Sequence, residues 1–259
     1  MVKKTQPDSL TPVSPNAGIE SEYRRKMQAL IKSMQNSVLF YLTRVYNAAD
    51  TERVAGVKKI ETVLDELKTR WLGKFDEAAP KLAAGFVAQA SKNLDLNMER
   101  QLRTRKFGIH FELTPQMRAV VHTEIVQNVS LIQSIPSQYF TEVEGLVMRS
   151  VEVGGDLKTL TDELHKRFGI TLDRAARIAV DQNRKINSVM TKTRDLELGI
   201  TKAIWIHTAC PYPRQSHVDF HGKEYDVAEG ALIDGKRVWP GSEIGCRCMS
   251  KPVLPDFMK

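Results

Sequence analysis

Cysteine is scarce in this chain: Cys210, Cys246 and Cys248 are the three among 259 residues. An odd number of thiols in a chain this long makes no disulfide framework. It fits a reducing compartment in which thiols are free or metal-bound. Long apolar runs are missing too. No stretch reaches the ~18 to 20 consecutive apolar residues that a membrane-spanning helix needs, and the opening MVKKTQPDSLTPVSPNAG has charges and prolines where a secretory signal has an apolar centre. The expected compartment is the cytoplasm, with no membrane partner. An internal repeat and a glycine-rich phosphate loop are also absent, which sets aside solenoids and P-loop nucleotide binding.

What is present is charge and helical pattern. The net charge is +7, with 42% hydrophobic and 27% charged residues, enough apolar content for a core in more than one folding unit. Residues 1–106 hold 19 Lys and Arg against 12 Asp and Glu, whereas residues 107–259 hold 19 of each, so the whole excess is N-terminal. Its densest point is Arg100, Arg103, Arg105 and Lys106. Such a segment is either a solvated helix face or a non-specific attraction for DNA phosphate, because counterion release is indifferent to base order.

Residues 1–19, with Pro7, Pro12 and Pro15, are expected to form a disordered tail. From Glu20 the texture changes. Tyr23, Met27, Leu30, Ile31, Met34, Val38, Tyr41, Leu42 and Val45 recur at three- and four-residue steps, the apolar stripe of a long helix. Further helices are read over 51–71 and 75–105, the latter with Pro80 near its start, and Gly108 closes this block. Thr114 and Pro115 then supply an N-cap and a first-turn proline for a helix to about Gln133, and Ile135-Pro136 opens the next. Helices follow over 136–153, 157–168 and 171–198, with Gly154, Gly169 and Gly199 suited to left-handed positions past their ends. After Gly199 the helical period stops. KAIWIHT, KEYDV and KRVWP read as short strands, joined by turns at Phe220-His221-Gly222, Ile233-Asp234-Gly235 and Pro240-Gly241. The fold class is therefore α+β: a helical, basic N-terminal region over 20–133, a helical middle to about 199, and a small β-rich C-terminal cap.

The order of features in this cap is specific. Trp205 in an apolar strand is followed by Arg214, His217, His221-Gly222-Lys223, a hairpin, Pro240-Gly241 and Gly245-Cys246-Arg247-Cys248 before Pro252-Val253-Leu254. This order resembles the C-terminal domain of the phage head morphogenesis family, minor head proteins similar to the F protein of phage Mu. The upstream segment from Ile135 to Ile200, containing Ala-Arg-Ile-Ala, resembles that family's helical region, so the likeness spans 134–255. Its departure is His207-Thr208-Ala209-Cys210, where many relatives place an aspartate and some a Cys-x-x-Cys pair. The resemblance implies a minor virion component of a tailed phage or prophage-derived element. It would contact portal protein, major capsid protein or DNA, sit in the inner head or portal region, and occupy the host cytoplasm during assembly. The C-terminal module is expected to fold independently.

Catalysis is not expected. An enzyme would be a phage-borne effector, ADP-ribosyltransferase-like or nuclease-like, but the acidic or Arg-Ser-Glu sets those chemistries use are not found. Cys210, His217, Asp219 and His221 offer a nucleophile and bases whose reach spacing does not show. The His217-x-x-x-His221 spacing aligns metal ligands only on a helix, which Gly222 opposes. Arg214 and Arg247 read equally as ion-pairing surface residues and as grips for a phosphate or a partner's carboxylate. Cys246 and Cys248, two apart in an extended segment, project to one face while Arg247 points away. A disulfide between them would close a strained ring. With Cys210 and one histidine, His217 ahead of His207, they make a tetrahedral set for a structural zinc ion; the alternative is three buried thiols acting as small hydrophobes.

Overall fold

The computed structural model of the chain describes residues 8–48, 53–152 and 157–258. Four long helices dominate: α1 Ala17–Ala48, α2 Arg53–Thr104, α3 Pro115–Glu152 and α4 Leu157–Glu197. The stripe read in the sequence is the inner face of α1. Tyr23, Met27, Ile31, Met34, Val38 and Leu42 are buried, and Leu30, Tyr41 and Val45 flank them half-buried.

Three expected helix ends are absent. Gly73 and Pro80 lie inside the 52-residue α2, Pro136 lies inside α3, and Gly169 lies inside α4. A proline within a helix loses a hydrogen bond and crowds the preceding turn, at about 3 kcal/mol. Packing decides the matter here. Trp71, Phe75, Ala79 and Ala83, buried at four-residue steps, keep one apolar face running past Gly73 and Pro80. Burial of each large side chain contributes ~1.5–3 kcal/mol. Ile132, Ile135, Tyr139 and Phe140 do the same around Pro136. Gly154 lies outside the described residues. Helix α2 ends not at Gly108 but through Lys106, at φ 68°, with the Phe107 amide donating to Leu102 O at 3.0 Å. Two expected signals hold: Thr114 Oγ1 accepts from the Met117 amide at 3.1 Å, and Gly199 takes φ 71° after α4.

The chain divides into two compact units that are interleaved in sequence. One consists of Ser21–Gly85 and Ile125–Ala179; the other of Phe86–Glu124, Val180 onward and the described residues before Ser21. The first unit is helical. Tyr23 Oη donates to Asn128 Oδ1 at 3.0 Å, the Gln35 amide donates to Leu164 O at 3.4 Å and accepts from Tyr139 Oη, and Lys68 pairs with Glu144 at 2.8 Å. The bonds of Tyr23, Gln35 and Tyr139 fix polar groups within its apolar core, whereas the Lys68–Glu144 pair is half-exposed.

The second unit joins the ends of the long helices to the cap. Strands β1 Lys202–Ile206, β2 Glu224–Asp226, β3 Ala231–Ile233, β4 Lys236–Val238 and β5 Met249–Pro252 follow α4, with a five-residue helix α5 Gln215–Asp219 between β1 and β2. The sheet order is β2-β1-β5, all antiparallel, with Ala203 opposite Tyr225 and Trp205 opposite Ser250. The β3–β4 hairpin turns at Asp234 and Gly235, φ 50° and 74°, the left-handed pair of a two-residue hairpin turn. Strands β3 and β5 are not among the three strands that the sequence pattern marks.

The tail expected over 1–19 is not a free tail where it is described. Ser9 bridges Val253, the Leu10 amide donates to Pro252 O at 2.9 Å, and the Leu254 amide donates to Asp8 O at 2.9 Å. Asn187 and Asn183 on α4 donate to Val13 O and Asn16 O at 2.8 and 3.1 Å, and Leu10 is buried. Prolines that forbid a helix suit an extended strap whose carbonyls are taken by side chains. The cap is thus no isolated module, since Leu10, Met98 and Leu102 belong to its unit's core. At its centre Arg194, 1% exposed, pairs with Asp95 and Glu197 at 2.8 and 2.7 Å and donates to Glu112 O at 2.9 Å.

Candidate metal centre

Strand β1 buries Trp205 and delivers His207 one residue beyond its end. Helix α5, with Arg214 as its N-cap, carries His217 inward, and Trp205 packs edge-on against the His217 ring at 5.1 Å. A short helix therefore exists where the turn signals argued against one. It ends at Asp219, so His221 falls outside it, and His221 Nδ1 accepts from the His207 amide at 3.0 Å.

The two cysteines come from the loop entering β5. Gly241 at φ 81° and Gly245 at φ 74° make its turns, left-handed positions that favour glycine. Asp181 on α4 accepts from the Gly245 amide at 2.8 Å, and the Cys246 amide donates to Glu243 O at 2.9 Å. The alternation expected for Cys-Arg-Cys holds: Cys246 and Cys248 are buried and Arg247 is exposed.

Together these elements bring His217, Cys246 and Cys248 into one buried group whose ligand atoms lie within 4.8 Å of one another, close enough to hold a metal ion. His217 Nδ1 is 3.5 Å from Cys246 Sγ and 3.8 Å from Cys248 Sγ. His207 Nδ1 is 3.6 Å from Cys248 Sγ, which makes it the adjoining donor. The opposite edge of His217 faces a carboxylate, with Nε2 3.2 Å from Glu243 Oε2. Both histidines expected as ligands are therefore here, whereas Cys210, partly exposed, stands outside the group. It lies in the irregular loop after β1, where no strand register aims its thiol.

The electrostatics favour one thiolate in particular. The Cys248 thiol and the amide of Gly241 hydrogen-bond to Cys246 and lower its pKa against the effect of burial. Cys248 moves the other way, raised by donating to Cys246 and by burial. Two sulfurs and one or two imidazoles, with a carboxylate ordering the His217 ring from behind, form a soft to borderline donor set of the kind that suits zinc. Spacing alone does not disclose Glu243 and Asp181, whose roles arise from the Gly245 turn and from α4.

Of the expected anion grips, Arg214 donates to Ile244 O at 2.8 Å and lies 3.8 Å from Glu243, so it braces the cysteine loop. Arg105 pairs with Asp8 and donates to Ser9 O at 2.7 Å, holding the strap. Arg100, Arg103, Lys106 and Arg247 are exposed. Among the described residues no helix is long and apolar enough to cross a membrane.

A protein of Haemophilus influenzae (strain ATCC 51907 / DSM 11121 / KW20 / Rd), described as uncharacterized, is 25% identical over 262 residues, 98% of this chain and 57% of that protein. The chain thus spans little more than half the length of this relative. No solved structure matches it. The family described as Phage Mu protein F like protein matches residues 141–251, which include His207, His217, Cys246 and Cys248. By that match residues 141–251 are similar to the Phage Mu F-like family, the family that the order of features in the cap resembles.

Proposed function

We propose that the chain is a structural minor head protein of a tailed phage or prophage-derived element, acting in head assembly or in DNA packaging and ejection. The family match over 141–251 carries this reading. Its partners are portal or major capsid protein, and its place is the inner head or portal region. The chemistry of the cap supports a structural role: Cys246 and Cys248 are buried beside imidazoles, as in a folding staple, rather than presented to solvent as a nucleophile would be. In this reading His217, Cys246 and Cys248, with His207 as fourth ligand, hold a zinc ion that ties β5 to α5 and the end of β1. The exposed Arg100, Arg103 and Lys106 supply weak, salt-sensitive contacts to DNA phosphate.

The test is particle composition. Heads purified after induction of an element encoding an epitope-tagged copy should contain the chain in fixed proportion to portal protein. A tag that stays in the soluble lysate, with normal heads formed without it, rejects the reading.

A further inference from the structure

Beside the metal centre, with Cys248 in its wall, lies a recess of about 50 Å³ that the ligand set leaves unused. Arg184 on α4 and Arg247 between the two cysteines both line it, with Ser188, Thr191 and Ser250. Two guanidiniums that share a recess repel each other. Burial and then the Arg247 charge lower the pKa of Arg184, and Glu20, Asp181 and Cys246 only partly oppose this. Among the described residues neither arginine makes an ion pair, and Asp181 is engaged with the Gly245 amide. No acidic side chain lines the recess.

A second, independent observation lies in the same wall. Thr191 is 5% exposed, and its Oγ1 has no hydrogen-bond partner among the described residues. A buried hydroxyl left unpaired costs ~1–3 kcal/mol. Ser250 Oγ accepts from Tyr225 Oη at 2.7 Å and keeps its own proton to donate. The unused groups around this space are therefore cations and hydroxyl donors. The recess is small: a water needs roughly 10–15 Å³ of such space, so it takes a handful of non-hydrogen atoms and no nucleotide.

From the paired arginines and the unpartnered hydroxyl we infer that the recess is a binding site for a single phosphate group, held between Arg184 and Arg247 with Thr191 donating from within. Guanidinium planes match phosphate oxygens in pairs, and an anion relieves the repulsion between the two cations. The group is either free inorganic phosphate or a terminal phosphate of nucleic acid. The backbone of the recess is set by Gly241, whose added Cβ would meet Cys248 O at 3.2 Å and Ser188 Cβ at 3.5 Å. Site and metal loop are thus built on the same stretch of α4.

The experiment is calorimetric titration of the full chain with inorganic phosphate, against sodium chloride at matched ionic strength. Variants are R184Q, R247Q and T191V, with R237Q on the β3–β4 hairpin as control and circular dichroism to show that each is folded. The expected result is saturable binding to wild type and R237Q, weakened about tenfold or more by either R184Q or R247Q and a few-fold by T191V. Phosphate behaving like chloride, or binding unchanged in R184Q and T191V, overturns the site. Competition by a 5′-phosphorylated single strand but not by its dephosphorylated copy assigns the group to nucleic acid; binding of inorganic phosphate alone assigns it to the free anion. Neither result depends on whether the chain enters phage heads.

Discussion

His217 turns its Nε2 to the Glu243 carboxylate, 3.2 Å away, while its Nδ1 faces both buried sulfurs. With Nε2–H donating to Glu243, the lone pair of Nδ1 is directed at the space between the thiols, the orientation a metal-ligating imidazole requires. This arrangement makes Glu243 a positioning residue. E243Q should retain the fold but lose about 10–100-fold in zinc affinity, measured by competition with a chromophoric chelator. Elemental analysis of protein purified without a histidine tag should give about one equivalent of zinc in wild type and far less in C246S, whose melting temperature should fall. Below roughly a tenth of an equivalent in wild type, with C246S melting unchanged, the thiols are core hydrophobes.

Asp195 is buried at the end of α4 with neither carboxylate oxygen hydrogen-bonded among the described residues, and burial raises its pKa well above the ordinary carboxylate value. A raised folded-state pKa means that the unfolded chain releases this proton first. The stability that the neutral acid allows is present below the unfolded pKa and is lost as pH rises toward the folded one. Relative to D195N, wild type should lose about 1.4 kcal/mol per pH unit across that window, starting near pH 4. Urea denaturation of both proteins over a pH series measures it, and parallel curves would refute it.

Arg194 is almost fully buried, with Asp95, Glu197 and Glu112 O around it and Phe111 beneath its guanidinium at 4.6 Å. Removing the cation strands two carboxylates. R194M should destabilise by about 3–5 kcal/mol. The double variant R194M/D95L should recover part of that loss in denaturant titration, because one stranded charge is then gone.

Leu10 tests the strap. Its side chain is 2% exposed and its amide donates to Pro252 O. L10A should cost about 2–5 kcal/mol. Hydrogen exchange should quicken at the Leu254 amide, which donates to Asp8 O. A free N-terminal tail would show neither effect.

Much of the cap is legible in the order of its residues. Trp205, the Asp234-Gly235 turn, the Gly241 bend and the Cys-Arg-Cys alternation follow from side-chain period and from glycine's access to positive φ, and those are local properties. The two histidines and the two close cysteines stand out by residue type and order. Cys210 does not join them, because nearness in sequence does not fix the direction of a side chain in an irregular loop. Glu243 and Asp181 escape such a reading because an isolated acidic residue looks the same whether it faces solvent or an imidazole.

The sequence by itself determined which faces are apolar, where α1 runs, how α4 ends, and that a β-rich cap follows, since each depends on interactions among residues a few positions apart. Tertiary structure decided the rest. Pro80, Pro136 and Gly169 became helix interior because burial of the apolar residues on either side outweighs a local cost of a few kcal/mol. Asp8 to Asn16 became a strap, and Arg184 came to share a recess with Arg247 across 62 intervening positions, because backbone and side-chain polar groups are satisfied only when distant segments meet.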